Sequence, residues 1–117
     1  MTNSPELLAS EIKLRTRSRV LEVAFGDGAR FLLPFEFLRV YSPSAEVKGH
    51  GPGQEVLQLG KQHVGITAVE PVGQYAVKLV FDDGHDSGLY SWKYLRELGE
   101  TYTQKWAAYQ QRVQAAQ

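Results

Sequence analysis

The sequence predicts an α+β fold: a small, mainly antiparallel sheet built from two hairpin-plus-helix units, with a C-terminal helix. Three observations lead there. Apolar and polar residues alternate in short runs, as they do on half-buried strands. Two turns, Gly26-Asp27-Gly28 and Asp82-Asp83-Gly84, interrupt such runs, and each is followed by a helical segment carrying Leu-Arg. From Trp92 onward, apolar residues recur at three- and four-residue steps, the period of a helix.

Taken in order, residues 1–9 read as a flexible leader, in which Ser4 and Pro5 suit the cap and first position of a short helical turn. Ile12-Lys13-Leu14-Arg15 alternates as a strand, and Val20 to Phe25 is a second. Lys13, Arg15, Arg17 and Arg19 also alternate. On one continuous strand they would share a face, as a basic patch or a plain solvated surface. Arg30 to Leu33 returns after the first turn, and Pro34 opens a short helix from Phe35 to Val40. Residues 42–63 lack periodicity, and Gly49-His50-Gly51-Pro52-Gly53 crowds turn formers into a loop. Val64 to Val69 and Tyr75 to Phe81 read as strands joined through Pro71-Val72-Gly73, with a short return strand at Gly88-Leu89-Tyr90.

Ser91 has the chemistry of an N-cap. Leu95, Leu98, Tyr102, Trp106, Tyr109 and Val113 then form one apolar stripe. Gly99 interrupts it at about 1 kcal/mol relative to alanine, so a break is expected there. Residues 114–117 are expected to fray. The resulting organisation is the leader, one domain over 10–99, and a helical extension over 100–117.

Composition narrows the function. A chain of 117 residues, 43% hydrophobic, suits one globular domain. Thirteen basic residues balance thirteen acidic ones, which removes the simplest case for a nucleic-acid or membrane-surface partner. Cysteine is absent, so disulfides, thiolate catalysis and thiolate metal sites are excluded. No apolar run has the length of a spanning helix and no signal pattern opens the chain; a cytoplasmic setting is expected.

Few residues carry candidate chemistry. Asp82, Asp83, His85 and Asp86 crowd one turn, where an imidazole beside carboxylates suits a divalent metal, an acid–base pair or a hydrogen-bonded turn. The loop around His50 lacks the lysine and hydroxyl ending of a phosphate cradle, leaving a mobile loop or a recognition loop. No nucleophile elbow or His-Glu-x-x-His helix occurs, and a Ser/His/Asp triad would have to draw on Ser42 or Ser87 with the histidines. Trp92, Tyr94, Tyr102, Trp106 and Tyr109 serve either a core or an interface.

Three stretches carry a family resemblance. They are Leu38-Arg39-Val40-Tyr41-Ser42-Pro43-Ser44-Ala45-Glu46; Gly65-Ile66 with Glu70-Pro71-Val72-Gly73 and Tyr75-Ala76; and Phe81-Asp82-Asp83-Gly84-His85-Asp86-Ser87-Gly88-Leu89-Tyr90-Ser91-Trp92. Over residues 10–99 the chain resembles the gamma-butyrobetaine hydroxylase-like N-terminal domain, formerly a domain of unknown function, in its small stand-alone bacterial form. Relatives of that domain precede the catalytic part of iron(II)/2-oxoglutarate dioxygenases or are fused to iron–sulfur carrier ATPases. In the dioxygenases the domain has no catalytic residue and holds zinc through three cysteines and a histidine. By this resemblance the histidine corresponds to His85 and the cysteines to Ser42, Ser44 and Val47, so only His85 is retained and the zinc is expected to be lost.

The reading is a non-catalytic binding or accessory module. Its expected surface is Arg39, Tyr41, His50, Asp83, His85 and Trp92, in a groove between the 42–54 loop and the 82–92 turn. No cofactor is expected. The resemblance implies a protein partner, an iron–sulfur carrier or an oxygenase, and the terminal aromatic helix suits a homo-oligomer. The alternatives are a metal-binding protein using His85 and His50 with nearby carboxylates, and a small enzyme using the Asp83–His85 pair.

Overall fold

The computed structural model describes residues 8–49 and 55–116. Each turn unit builds its own antiparallel sheet. The first comprises β1 (Ala9–Arg15), β2 (Val20–Phe25) and β3 (Arg30–Pro34), in that order. The second comprises β4 (Ile66–Val72), β5 (Ala76–Phe81) and β6 (Leu89–Ser91). The sheets share one core, with Leu21, Val23 and Leu33 from the first and Ile66, Val77, Leu79 and Tyr90 from the second. They are joined by a helix, α3 (Trp92–Glu100), which packs on both β3 and β6.

In the first sheet the central strand is buried on both faces. Leu21, Val23 and Phe25 enter the core, and Glu22 on the other face is covered by Arg15 and Arg30 from the flanking strands, which both pair with it. The basic alternation does not share one face, because β1 ends at Arg15 and residues 16–19 turn. Arg19 stands in the left-handed region at φ 59° and sends its guanidinium to the Val64 carbonyl. In the second sheet Pro71 and Val72 extend β4, and the reversal falls at residues 73–75. Gly73 supplies the positive φ of 59° that this tight turn needs.

Among the described residues, four helices complete the fold. Pro34, at φ −59°, leads into α1 (Phe35–Val40), where every residue but Glu36 is buried. A short α2 (Ala45–Lys48) interrupts the stretch expected to be irregular, with the Ser44 side chain accepting from the Glu46 N–H as its cap. Ser91 caps α3 by accepting from the Tyr94 N–H. The break in the terminal stripe falls at Thr101, two residues beyond the expected glycine. Gly99 stays helical and meets the Phe31 ring so closely that a Cβ there would lie 2.4 Å from Phe31 Cγ.

Beyond the break, α4 (Tyr102–Ala116) runs to the end of the described chain, where fraying was expected; Gln117 lies outside the described residues. The helix folds back on α1. Tyr102 stands edge-on to Phe37 at 4.8 Å, Trp106 lies 6.0 Å from the same ring, and the Tyr41 hydroxyl donates to the Lys105 carbonyl at 2.6 Å. Covering these half-buried aromatic faces favours the return of a glutamine-rich helix to the domain, by less than the roughly 1.5–3 kcal/mol of a fully buried side chain. Among the described residues, no helix is long and apolar enough to cross a membrane. The expected helical turn at Ser4 and Pro5, and His50, Gly51 and Gly53 of the loop, lie outside the described residues, whereas Gly49 is described as the C-cap of α2.

Candidate functional site

The loop that follows α1 meets the turn that follows β5. The turn is set by its own carboxylates. Asp82 accepts from the Gly65 N–H at 2.9 Å, and Asp83 accepts from the His85 N–H at 3.2 Å. These bonds aim the His85 ring inward beside Phe81, at 6.0 Å between centroids. On the other side, α1 ends at Tyr41, Ser42 donates its N–H to the Arg39 carbonyl, and Ser44 opens α2.

Between them the polar atoms close a ring. The Ser42 hydroxyl lies 2.8 Å from His85 Nε2 and accepts from the Ser44 N–H at 3.2 Å. His85 Nδ1 lies 3.2 Å from Glu46 Oε1, which also accepts from the Ser87 hydroxyl at 2.6 Å. Ser87 in turn lies 2.7 Å from the Ser44 hydroxyl. The protons follow from the partners. Glu46 only accepts, so Ser87 donates to it, and the repulsion between a bare Nδ1 and a carboxylate oxygen 3.2 Å away places the imidazole proton on Nδ1. With Nδ1 protonated in the neutral ring, Nε2 accepts from Ser42, and Ser44 donates to Ser87.

The electrostatics agree with that assignment. Burial, and then the Arg39 charge, push the His85 imidazole below its ordinary value, favouring the neutral ring. The Ser87 hydroxyl holds Glu46 below the usual carboxylate range despite partial desolvation. Asp83 is pushed up by burial, but Lys61, the His85 N–H and Arg39 outweigh this and hold it at about 2. Arg39 is itself buried, donating to Asp83 at 3.0 Å and to Gln58 at 3.1 Å, so no charge in the cluster lacks a partner.

Ser42, His85 and Glu46 have the connectivity of a nucleophile, base and carboxylate. Ser42 is fully buried, however, and Gly88 lies against its hydroxyl: a Cβ at Gly88 would stand 2.5 Å from Ser42 Oγ. A substrate carbonyl has no room beside that oxygen, so the arrangement holds the loop to the turn rather than attacking a bond. The donor set does not fit zinc either. Ser42, Ser44 and His85 do converge, and Val47 is buried in the same short helix, but hydroxyls and a valine do not replace thiolates and both ring nitrogens are engaged. Among the described residues, no three His, Cys, Asp or Glu side chains stand together as metal ligands do.

Of the expected surface, the fold brings together Arg39, Asp83 and His85. Tyr41 turns away to α4. Trp92 donates to the Gln74 carbonyl and lines a different cleft, with β1 and β4. His50 lies outside the described residues. Ser87, weighed in the sequence only as a triad hydroxyl, belongs to the site, as do Glu46, Gln58 and Lys61, which were not expected there. Only Glu46 had a signal, its position in the first turn behind a capping serine.

Comparison with known proteins finds a family model and solved structures similar to this chain. The family model described as "Gamma-butyrobetaine hydroxylase-like, N-terminal" matches residues 12–96. A crystal structure of a protein of unknown function of the DUF971 family, from Acidithiobacillus ferrooxidans, is 41% identical with a TM-score of 0.70 over 83% of this chain and 98% of its own. Two proteins solved in solution by NMR are also similar. One is 52% identical with a TM-score of 0.80 over 93% of this chain and 86% of its own. The other is 51% identical with a TM-score of 0.81 over 99% and 87%. No curated protein matches the chain.

Proposed function

The chain belongs to the gamma-butyrobetaine hydroxylase-like N-terminal family, and from that premise we propose that it is a non-catalytic binding module. The observation that carries this reading is the closed ring of polar contacts. It fixes the 42–48 loop against the 82–88 turn and presents a rim that includes the exposed Glu46, Asp86 and Ser87. A rigid rim on a small domain suits recognition of a protein, since little ordering remains to be done on binding. By the family resemblance the partner is an iron–sulfur carrier or a 2-oxoglutarate dioxygenase, a warrant of analogy that needs its own test.

Affinity capture with the immobilised full chain provides that test. The reading expects retention of one of those two partner classes, lost on Glu46→Lys and kept on Leu32→Ser, a change at an exposed position on β3. Capture of neither class, or capture indifferent to Glu46→Lys, removes the proposal. The metal-binding alternative, with His85, His50 and carboxylates, has one observation in its favour, the Glu46 carboxylate beside His85 Nδ1. Titration with zinc, manganese or iron decides it, since His85 ring signals that stay put at millimolar ion would end it.

A further inference from the structure

The outer side of β1 is an open edge: its only ladder among the described residues is with β2. Which backbone groups it leaves free follows from the neighbouring hairpin. Phe25 donates to the Ala29 carbonyl and accepts from the Gly28 N–H, so Phe25, Val23 and Leu21 turn their peptide groups toward β3. Ala24, Glu22 and Val20 therefore turn toward β1, where they pair with Glu11, Lys13 and Arg15. Ile12 and Leu14 are left with N–H and C=O directed out of the sheet. Their side chains line an apolar cleft of about 440 Å³ with Val69, Pro71, Val77 and Trp92. Glu11 and Lys13 stand on the opposite face, their side chains 41% and 50% exposed.

A lysine on an edge strand normally repels another strand. Here the segment Glu11-Ile12-Lys13 is complementary to its own reverse. In an antiparallel pair with a two-fold axis at Ile12, each Glu11 faces Lys13 of the second copy. The two Ile12 residues then meet with their free N–H and C=O groups in register. Moving the axis to Lys13 opposes two ammonium groups, moving it to Glu11 opposes two carboxylates, and moving it to Leu14 opposes Lys13 and Arg15. The Lys13 axis keeps Glu11 opposite Arg15, but of these four axes only the one at Ile12 opposes no like charges.

We propose that β1 is a self-association edge, on which a second copy of this chain docks its own β1 antiparallel about Ile12. The two first sheets then join into one six-stranded sheet, and the cleft mouth is covered at the same contact. Sedimentation equilibrium of the full chain from micromolar to millimolar protein tests this. A dimer is expected, with Glu11→Lys and Lys13→Glu each weakening it by about tenfold or more, since each turns both cross-strand pairs repulsive. Mixing the two variants restores the dimer as a heterodimer, which also shows that each has folded although Glu11 also contacts Arg30. Ile12→Pro, which deletes the N–H at the axis on an edge where proline is tolerated, gives a monomer. A wild-type chain that stays monomeric throughout, or a dimer indifferent to both charge reversals, overturns the proposal.

Discussion

The Ser42 hydroxyl lies 2.8 Å from His85 Nε2, tying together residues 43 positions apart in a fully buried contact. It is the innermost bond of the ring that closes the loop on the turn. Ser42→Ala removes the donor to Nε2 and the acceptor of the Ser44 N–H together. Leaving buried polar groups unpaired costs about 1–3 kcal/mol. The urea midpoint of the variant is expected to fall accordingly with an unchanged slope; a loss within a few tenths of a kcal/mol would show that the ring contributes nothing.

Restoring thiolates tests the convergence itself. Ser42→Cys/Ser44→Cys/Val47→Cys sets three sulfurs around His85, the donor set that the family resemblance implies for zinc. The triple variant is expected to retain zinc through gel filtration, measured by elemental analysis, and to gain thermal stability with it. A variant that folds yet takes up no zinc would mean that Val47 does not face the ring.

Acid should weaken the fold in two stages. His85 has a lower pKa folded than its ordinary 6.5, so the unfolded chain binds more protons below that pH. Its contribution is complete above pH 6.5 and declines as pH falls. Asp83 is held at about 2 against an ordinary 3.8, so its contribution is lost as pH drops from 3.8 toward 2. Urea titrations across this range are expected to show both slopes, with His85→Gln flattening the first and Asp83→Asn the second. An upper slope that survives His85→Gln would assign it elsewhere.

Gly99 offers a prediction with a sign reversal. Alanine favours a helix over glycine by about 1 kcal/mol, yet its Cβ here would collide with the Phe31 ring. Gly99→Ala is expected to destabilise by about 1–3 kcal/mol in the wild type. In a Phe31→Ala background the same change is expected to be neutral or stabilising. Thermal melts of the four chains form the cycle, and additive effects would contradict the contact.

The same glycine shows what a sequence can and cannot disclose. The turns at Asp27 and Asp83, the helix behind Pro34 and the cap at Ser91 were legible because each is local backbone chemistry. Gly99 looked like a breaker by propensity, whereas its role is a tertiary contact with a strand that no local rule reaches. The α2 helix is four residues long, too short for any periodicity to register. At the site, His85 and Asp83 stood out by crowding. Gln58 and Lys61 did not, because they join it only through space. Tyr41 and Trp92, near the site along the chain, point to other faces.

The central assignment is the neutral His85 ring held between Ser42 and Glu46. Nitrogen-15 spectra of its imidazole at neutral pH, recorded with and without added zinc, read that state directly. The expected result is a single tautomer, protonated at Nδ1 and bare at Nε2, unchanged by the metal. A doubly protonated ring, or an Nε2 signal displaced by zinc, would contradict it.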